Sequence, residues 1–199
     1  ALKQISKSGK KILFVATKKQ AKGIVAELAK SLNMPYITER WPGGLLTNFS
    51  TIRKSIKKMQ NIDAMKEDGT FDTLSKRERL QIDRQRAKLE LNLGSIVKMN
   101  RMPEAIFIVD INKENIALAE ANKLGIRSFA MTDTNTNPTL VDFPIPSNDD
   151  STKSIQCILS IIGKSISEGL EQRSIDQEKK DDAKKDKAKK IVEEQEKNN

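Results

Sequence analysis

The stretch KILFVATKKQAKGIVAELAKSLNMPYIT, residues 11–38, carries the pattern that decides the fold. It opens with a short β-prone run at residues 11–16, whose apolar side chains fall on both faces, as in a parallel sheet covered on both sides. Apolar residues then recur at helical spacing through residues 21–32, and Thr17 is the predicted N-cap of that helix. Extended chain resumes at residues 35–38. The stretch therefore predicts a β-α-β unit.

A second series of strands and helices follows in the same alternating order. An apolar strand is predicted at residues 104–110, followed by a helix that Asn112 caps and Gly125 stops. Two further strands are predicted at residues 126–131 and 143–146, and Ser151 opens a final helix. The last of these is expected at an edge because it contains prolines. Strands that alternate with helices predict an α/β fold with a doubly wound, mainly parallel sheet.

Residues 49–98 interrupt this alternation. Apolar residues at three- and four-residue steps form a narrow stripe typical of a coiled-coil seam. A turn is predicted at Asp68-Gly69-Thr70-Phe71-Asp72, and a capping box at Ser75 to Glu78. We therefore predict an antiparallel hairpin of two helices that projects from the sheet domain. The outer faces of the hairpin are basic and carry Arg53, Lys54, Lys57, Lys58, Arg77, Arg79, Arg84, Arg86 and Lys88. Solvated surface charge is the ordinary explanation for such residues.

The predicted organisation has three parts. Residues 1–48 and 99–172 together form the sheet domain, residues 49–98 form the inserted coiled-coil hairpin, and residues 173–199 form a charged tail. The tail has almost no apolar periodicity, so both a disordered segment and a single helix held by ion pairs are compatible with it.

Composition narrows the class of protein. The net charge is +9, and the excess of Lys and Arg falls in the first half, which is expected of a protein with one side facing a polyanion. Lysines scattered over the surface without a partner are the alternative explanation of the same charge. The absence of His removes the commonest general base and metal ligand, and the single Cys157 excludes an internal disulfide and suits a reducing compartment. No apolar run approaches the roughly 20 residues of a membrane span. We predict no cofactor, no metal site, no membrane partner and no small-molecule substrate.

The segment from Arg40 to Phe49 lies after a strand and just before the hairpin. Arg40 offers a planar fork for a phosphate, Trp41 could stack on a base, and Gly43-Gly44 permit close approach of another backbone. Thr47 and Asn48 could cap the following helix and leave free amides facing an anion. A tight turn with Trp41 packed into the core is the alternative.

The first turn between strand and helix does not match a nucleotide-binding loop. It reads Ala16-Thr17-Lys18-Lys19-Gln20 and lacks the glycines that let a pyrophosphate reach the backbone. Lys18 and Lys19 still suit an external phosphate of the kind that an RNA backbone presents.

Acidic residues gather in the second half of the chain: Asp110, Asp133, Asp142, Asp149 and Asp150. In a doubly wound sheet, several of them are expected near the carboxyl ends of the strands. Carboxylates gathered there could hold Mg²⁺ for phosphoryl chemistry, although turn formation and helix capping explain the same residues. A Mg²⁺-dependent phosphohydrolase is therefore one alternative function. A protein-docking module that uses the seam of the hairpin is another.

Taken together, the segments resemble a known family. The run Arg40-Trp41-x-Gly43-Gly44-x-Leu46-Thr47-Asn48-Phe49-x-Thr51-Ile52 resembles the signature of the second ribosomal protein of the small subunit, in its bacterial and organellar form. Further matches occur in the family's order: Phe14-Val15-x-Thr17-Lys18, Asp68-Gly69-Thr70-Phe71, Pro103-x-Ala105-x-Phe107-x-Val109-Asp110, Glu120-Ala121-x-x-Leu124-Gly125-Ile126, Asp133-Thr134-Asn135 and Ile145-Pro146-x-Asn148-Asp149-Asp150. The resemblance covers about residues 10–170.

The resemblance implies a non-enzymatic, structural constituent of the small ribosomal subunit. Family members bind ribosomal RNA between the head and the body of the subunit and help dock neighbouring proteins, including the large mRNA-binding protein. A cytoplasmic ribosome is expected, with an organellar ribosome as the alternative. The family's usual N-terminal segment, rich in Gly and His, has no counterpart in the sequence. The predicted RNA-binding residues are Lys18, Lys19, Arg40, Trp41, Gly43, Gly44, Thr47, Asn48, Arg53, Lys54, Lys57 and Lys58.

Overall fold

Five short strands form one sheet, and every pair of neighbouring strands is parallel. The structure, a computed structural model, describes the backbone of residues 1–197 and the side chains of residues 1–178. The strands are β1 (Ile12–Val15), β2 (Tyr36–Ile37), β3 (Ala105–Ile108), β4 (Arg127–Thr132) and β5 (Phe143–Pro146). Their order across the sheet is β2-β1-β3-β4-β5, which leaves the proline-containing β5 at an edge.

Helices cover both faces of this sheet. They are α1 (Leu2–Lys7), α2 (Lys19–Ser31), α3 (Phe49–Glu67), α4 (Lys76–Leu93), α5 (Asn115–Leu124) and α6 (Thr152–Lys197). Alternate residues of β1 point into two separate apolar clusters: Phe14 packs with residues of α2 and α6, whereas Val15 packs with the root of the hairpin and with α5. The predicted fold class, a doubly wound parallel α/β sheet, is confirmed.

Helices α3 and α4 pack against each other around a short 3₁₀ turn at Thr70–Thr73. The capping box at the start of α4 is present: the Ser75 hydroxyl accepts from the Glu78 amide, and the Glu78 carboxylate accepts from the Ser75 amide. Ile56 and Met59 of α3 are buried, as the apolar stripe predicts. Towards the tip, ion pairs join the two helices, for example Lys66 Nζ to Asp83 Oδ1 at 2.6 Å.

Two predicted helix caps are wrong. Helix α2 has Lys18 at its N-cap position, and the Thr17 hydroxyl donates instead to the Glu114 carboxylate. Helix α5 has Glu114 at its N-cap position, and the Asn112 amide donates to the Asn135 carbonyl oxygen at 3.0 Å. In both cases a long-range partner competes successfully for a side chain that local rules assign to the nearest helix.

Helix α6 is 46 residues long and packs against α1. A side chain at Gly169 would place its Cβ 2.5 Å from the Lys3 carbonyl oxygen, so glycine permits this close approach. Helical backbone continues through residues 173–197 of the charged tail, and residues 198–199 lie outside the described chain. None of the described helices combines the length and the apolar composition that a membrane span requires.

Candidate nucleic-acid interface

One face of α3 carries three lysines without local counter-charges. Lys54, Lys57 and Lys58 are three and four residues apart, so they share a helix face, and the buried Ile56 and Met59 lie on the opposite one. All three lysines are exposed, and none makes an ion pair within the described chain. We call these residues the α3 stripe. An aligned row of unpaired ammonium groups suits a polyanion better than a single phosphate.

Helix α4 carries a second stripe of the same sign. Arg77, Arg84 and Lys88 are seven and four residues apart, which again places them on one helix face, and all are exposed. We call these residues the α4 stripe; the contacts resolved for residues 1–178 include no acidic partner for them.

Other basic residues of the hairpin have internal partners. Arg86 binds Asp63 across the hairpin and Glu90 within α4, and Arg79 lies 3.4 Å from Asp72. Arg53, one of the predicted RNA-binding residues, is half-buried and donates to the Met99 carbonyl oxygen at 3.4 Å. Among the described residues, the hairpin therefore contains two chemically different sets of cations: some bind acceptors within the protein, whereas the lysines and arginines of the two stripes have no such partner.

A groove joins the α4 stripe to the loop before the hairpin. It has a volume of about 400 Å³, an apolar floor that includes Ile52 and Leu89, and the cationic side chains of Arg40 and Lys88 among its walls. Arg40 is exposed and makes no ion pair in the part of the chain with described side chains. Its position continues the positive surface of the hairpin onto the sheet domain.

The rest of the Arg40–Phe49 loop folds around an internal anion. The Glu120 carboxylate of α5, only 8% exposed as a residue, accepts five hydrogen bonds from this loop. Oε1 accepts from Trp41 Nε1 (3.0 Å) and the Gly44 amide (2.7 Å). Oε2 accepts from the amides of Leu46 (2.9 Å) and Thr47 (3.0 Å) and from the Thr47 hydroxyl (3.2 Å). Although burial opposes ionisation, these donors outweigh it and lower the pKa of Glu120.

This arrangement corrects three of the predicted RNA contacts. Trp41 is 7% exposed, and its indole is a buried hydrogen-bond donor rather than a surface for base stacking. The Thr47 amide, which the sequence suggested for an external anion, is already bound to Glu120, and so is the amide of Gly44, where close approach of another backbone was expected. Asn48 stands at the N-cap of α3, but its side chain accepts from the Ser50 and Thr51 hydroxyls and not from a backbone amide. Gly43 is exposed beside this loop.

Lys18 also has internal partners. Its ammonium group lies 2.7 Å from Asp149, 2.7 Å from Asp150 and 3.1 Å from Asp110, all at the carboxyl ends of the strands. Burial disfavours the charged lysine, but the hydrogen bonds to these carboxylates prevail and raise the pKa of Lys18. Its side chain is 15% exposed, so the predicted phosphate contact is replaced by an internal charge cluster. Lys19, the next residue, is exposed.

Most of the acidic residues meet at the carboxyl ends of the strands, but Asp142 does not: it precedes β5 and accepts hydrogen bonds from Ser128. Oxygens of Asp133, Asp149 and Asp150 lie within 4.8 Å of one another, and burial raises the pKa of Asp149. The ammonium group of Lys18 contacts two of the three carboxylates and supplies a counter-charge within the protein. The geometry therefore explains the cluster as a structural link between β1 and the loop after β5.

Comparison with known proteins identifies the family. The family model of Ribosomal protein S2 matches residues 1–169. The chain belongs to the ribosomal protein S2 family. It is 65% identical over 177 residues to the small ribosomal subunit protein uS2 of Flavobacterium johnsoniae, covering 89% of this chain and 70% of that protein. The corresponding protein of Phocaeicola vulgatus is 63% identical, with 89% of this chain and 63% of the relative covered. The aligned region thus spans roughly two thirds of these relatives.

Membership of the ribosomal protein S2 family confirms the resemblance deduced from the motifs. The family is structural and not enzymatic, so the prediction that the chain is no enzyme is confirmed and the phosphohydrolase alternative is set aside. Sequence reasoning missed the role of Glu120. The sequence contained one indication of this role: Glu120 shares a helix face with the apolar residues Ala117 and Ala121. A carboxylate on a buried apolar face needs hydrogen-bond donors from the rest of the protein.

Proposed function

We propose that the chain is a structural constituent of the small ribosomal subunit that binds ribosomal RNA through its hairpin. The α3 stripe is the observation that carries this proposal: three aligned, exposed lysines with no ion-pair partner among the described side chains. The other two cations of α3 bind within the protein, Lys66 to Asp83 and Arg53 to the Met99 carbonyl oxygen. The α4 stripe, Arg40, Gly43 and Lys19 extend the proposed RNA-facing surface. Trp41, Gly44, Thr47 and Lys18 are removed from it because their polar groups are engaged inside the protein.

Physical reasons favour RNA over a protein for this surface. The two stripes are far more charged than the core of a protein interface, where charged residues are depleted. A polyanion gains affinity from every phosphate that replaces its counterions with a lysine or arginine. The hairpin is also a rigid support, since ion pairs and the buried seam residues Ile56 and Met59 hold its two helices together.

Family membership supports a proposal about the position within the subunit and about the protein neighbours. We propose that the chain sits between the head and the body of the subunit and helps dock neighbouring small-subunit proteins, including the large mRNA-binding protein. The curated relatives are bacterial small-subunit proteins, so the cytoplasmic ribosome is the proposed location.

Filter binding to in-vitro transcribed small-subunit ribosomal RNA tests the proposal. Replacing Lys54, Lys57 and Lys58 with Gln should weaken binding at least tenfold at about 0.1 M salt, because roughly one counterion per lost phosphate contact is no longer released. The matched control replaces Lys123, Lys153 and Lys164, three exposed lysines on α5 and α6, with Gln. Equal affinities of the two triple variants would refute the hairpin as the RNA-binding element.

A further inference from the structure

The chain enters and leaves the hairpin through two attachments to the sheet domain. Helix α3 follows the loop of residues 41–48, and helix α4 runs into a short 3₁₀ segment at Gly94–Ile96. At the second attachment, Ile96 is fully buried and the Ser95 hydroxyl donates to the Tyr36 carbonyl oxygen of β2. We call the two attachments together the hairpin root. The direction in which the hairpin leaves the sheet domain depends on the geometry of this root.

The first attachment is polar and directional. Three backbone amides of the loop donate to the Glu120 carboxylate of α5: Gly44, Leu46 and Thr47. The Trp41 indole and the Thr47 hydroxyl complete the set of five donors. Apolar contacts are non-directional, whereas hydrogen bonds weaken steeply as their angles change. The carboxylate therefore fixes the path of the backbone that leads into α3.

Helix α5 is a firm base for this attachment. Ala117 and Ala121 are fully buried, in the same apolar cluster as the loop residues Leu45 and Leu46. All five partners of Glu120 are neutral groups of the loop, so the loop conformation that supplies them is the one that stabilises the charge. Any other conformation would leave a buried carboxylate short of hydrogen bonds, which is costly.

A small change at the hairpin root becomes a large displacement along the hairpin. Helix α3 has 19 residues and is therefore about 28 Å long. A tilt of about 10° at the root would move its far end by about 5 Å. The α3 stripe lies near the middle of the helix, where the same tilt gives a displacement of about 2–3 Å. Such a shift is comparable with the length of a hydrogen bond and would take the lysines out of register with a rigid RNA.

We propose that Glu120 is a positioning residue for RNA binding: its carboxylate holds the hairpin at the angle at which the α3 stripe meets the RNA. This proposal rests on the proposed function. The Glu120 side chain is buried behind the loop and has the same sign of charge as RNA, so it does not contact the RNA itself. Affinity for RNA thus depends on a carboxylate in a distant segment of the chain.

The angle of the hairpin is measurable, because Cys157 is the only cysteine in the chain and is exposed on α6. Glu67→Cys places a second cysteine at the exposed last residue of α3, and both cysteines receive nitroxide spin labels. Double electron–electron resonance then gives the distribution of distances between α6 and the hairpin tip. With Glu120 present we expect one narrow peak. Glu120→Gln should shift or broaden this peak by about 5 Å.

Filter binding to small-subunit ribosomal RNA provides the second measurement. Glu120→Gln removes a negative charge, and charge alone would strengthen binding to a polyanion. Positioning predicts the opposite sign: affinity should fall roughly tenfold at about 0.1 M salt, the effect of losing about one phosphate contact. Glu27→Gln, at an exposed position on α2, makes the same change of charge and should bind at least as tightly as the wild type.

Two further variants separate positioning from a general loss of stability. Ile166→Ala opens a cavity in the apolar cluster on the other face of the sheet, so it should lower stability but keep the wild-type distance distribution and affinity. Trp41→Phe removes one of the five donors and should show a smaller change than Glu120→Gln in both measurements. Circular dichroism establishes that each variant is folded.

Each contrary outcome has a definite meaning. An unchanged distance distribution in Glu120→Gln overturns the positioning role, whatever the affinity. The role is also overturned if the distribution changes while the affinity matches that of Glu27→Gln, or if Ile166→Ala loses as much affinity as Glu120→Gln. If instead replacing the α3 stripe with Gln leaves RNA binding unchanged, the proposed function fails, and the distance measurement still decides whether Glu120 sets the angle of the hairpin.

Discussion

Glu120→Gln is the substitution that most directly tests how the loop before the hairpin is built. Glutamine keeps one carbonyl oxygen and replaces the other oxygen with an NH₂ group. Whichever way the amide turns, that group faces two N–H donors: Trp41 Nε1 and the Gly44 amide, or the amides of Leu46 and Thr47. Each buried donor without an acceptor costs roughly 1–3 kcal/mol, so we expect the free energy of unfolding to fall by about 3 kcal/mol.

Tryptophan fluorescence is a suitable assay, because Trp41 is the only tryptophan in the chain and its indole touches the altered side chain. Denaturant titration of the wild type and the variant gives the change in unfolding free energy. Thermal unfolding should show a midpoint lower by ~6–12 °C for a chain of this size. Glu27→Gln, at an exposed position on α2, removes the same charge and should change neither quantity measurably.

The reasoning would be refuted by a variant within about 0.5 kcal/mol of the wild type, the range of an ordinary surface substitution. An unchanged emission spectrum of Trp41 in that variant would reinforce the refutation, since it would mean that the loop does not depend on the carboxylate.

Three further predictions follow from individual contacts. The pKa of the Glu120 carboxyl group lies below the ordinary 4.5. The ionised carboxylate therefore stabilises the fold fully above pH 4.5, and this stabilisation is lost as the pH falls through the lowered pKa. The difference in unfolding free energy between the wild type and Glu120→Gln should shrink on acidification, as measured by denaturant titration. Lys18→Gln leaves three carboxylates without their shared cation and should cost about 3 kcal/mol near pH 7, with a smaller loss near pH 4, by denaturant titration. Ser75→Ala removes the capping box of α4 and should cost about 1 kcal/mol, whereas Ser160→Ala in α6 serves as the control.

Local patterns were sufficient to predict the elements of the fold. The apolar run of β1 and the helical repeat of α2 lie within a few residues of each other, and periodicity reports burial directly. The hairpin was predictable for the same reason, since a repeat of three and four residues and a capping box at Ser75 are both local signals.

The candidate site was less predictable because it depends on distant partners. Trp41 and Glu120 are 79 residues apart, and Lys18 and Asp149 are 131 apart, yet each pair shares a hydrogen bond. A glycine-rich loop before a helix has the same sequence whether its amides bind an RNA phosphate or an internal carboxylate. Only the position of Glu120 on α5 distinguishes these possibilities.

Sucrose-gradient sedimentation of a tagged copy of the chain in bacterial extract tests the central claim most directly. The chain should travel with small ribosomal subunits at low ionic strength and should be released by nuclease digestion of the RNA. The variant with Lys54, Lys57 and Lys58 replaced by Gln should be depleted from the same fractions. Migration of the wild-type chain apart from small subunits, or complexes that survive complete RNA digestion, would contradict the claim that this protein is held in the ribosome by RNA.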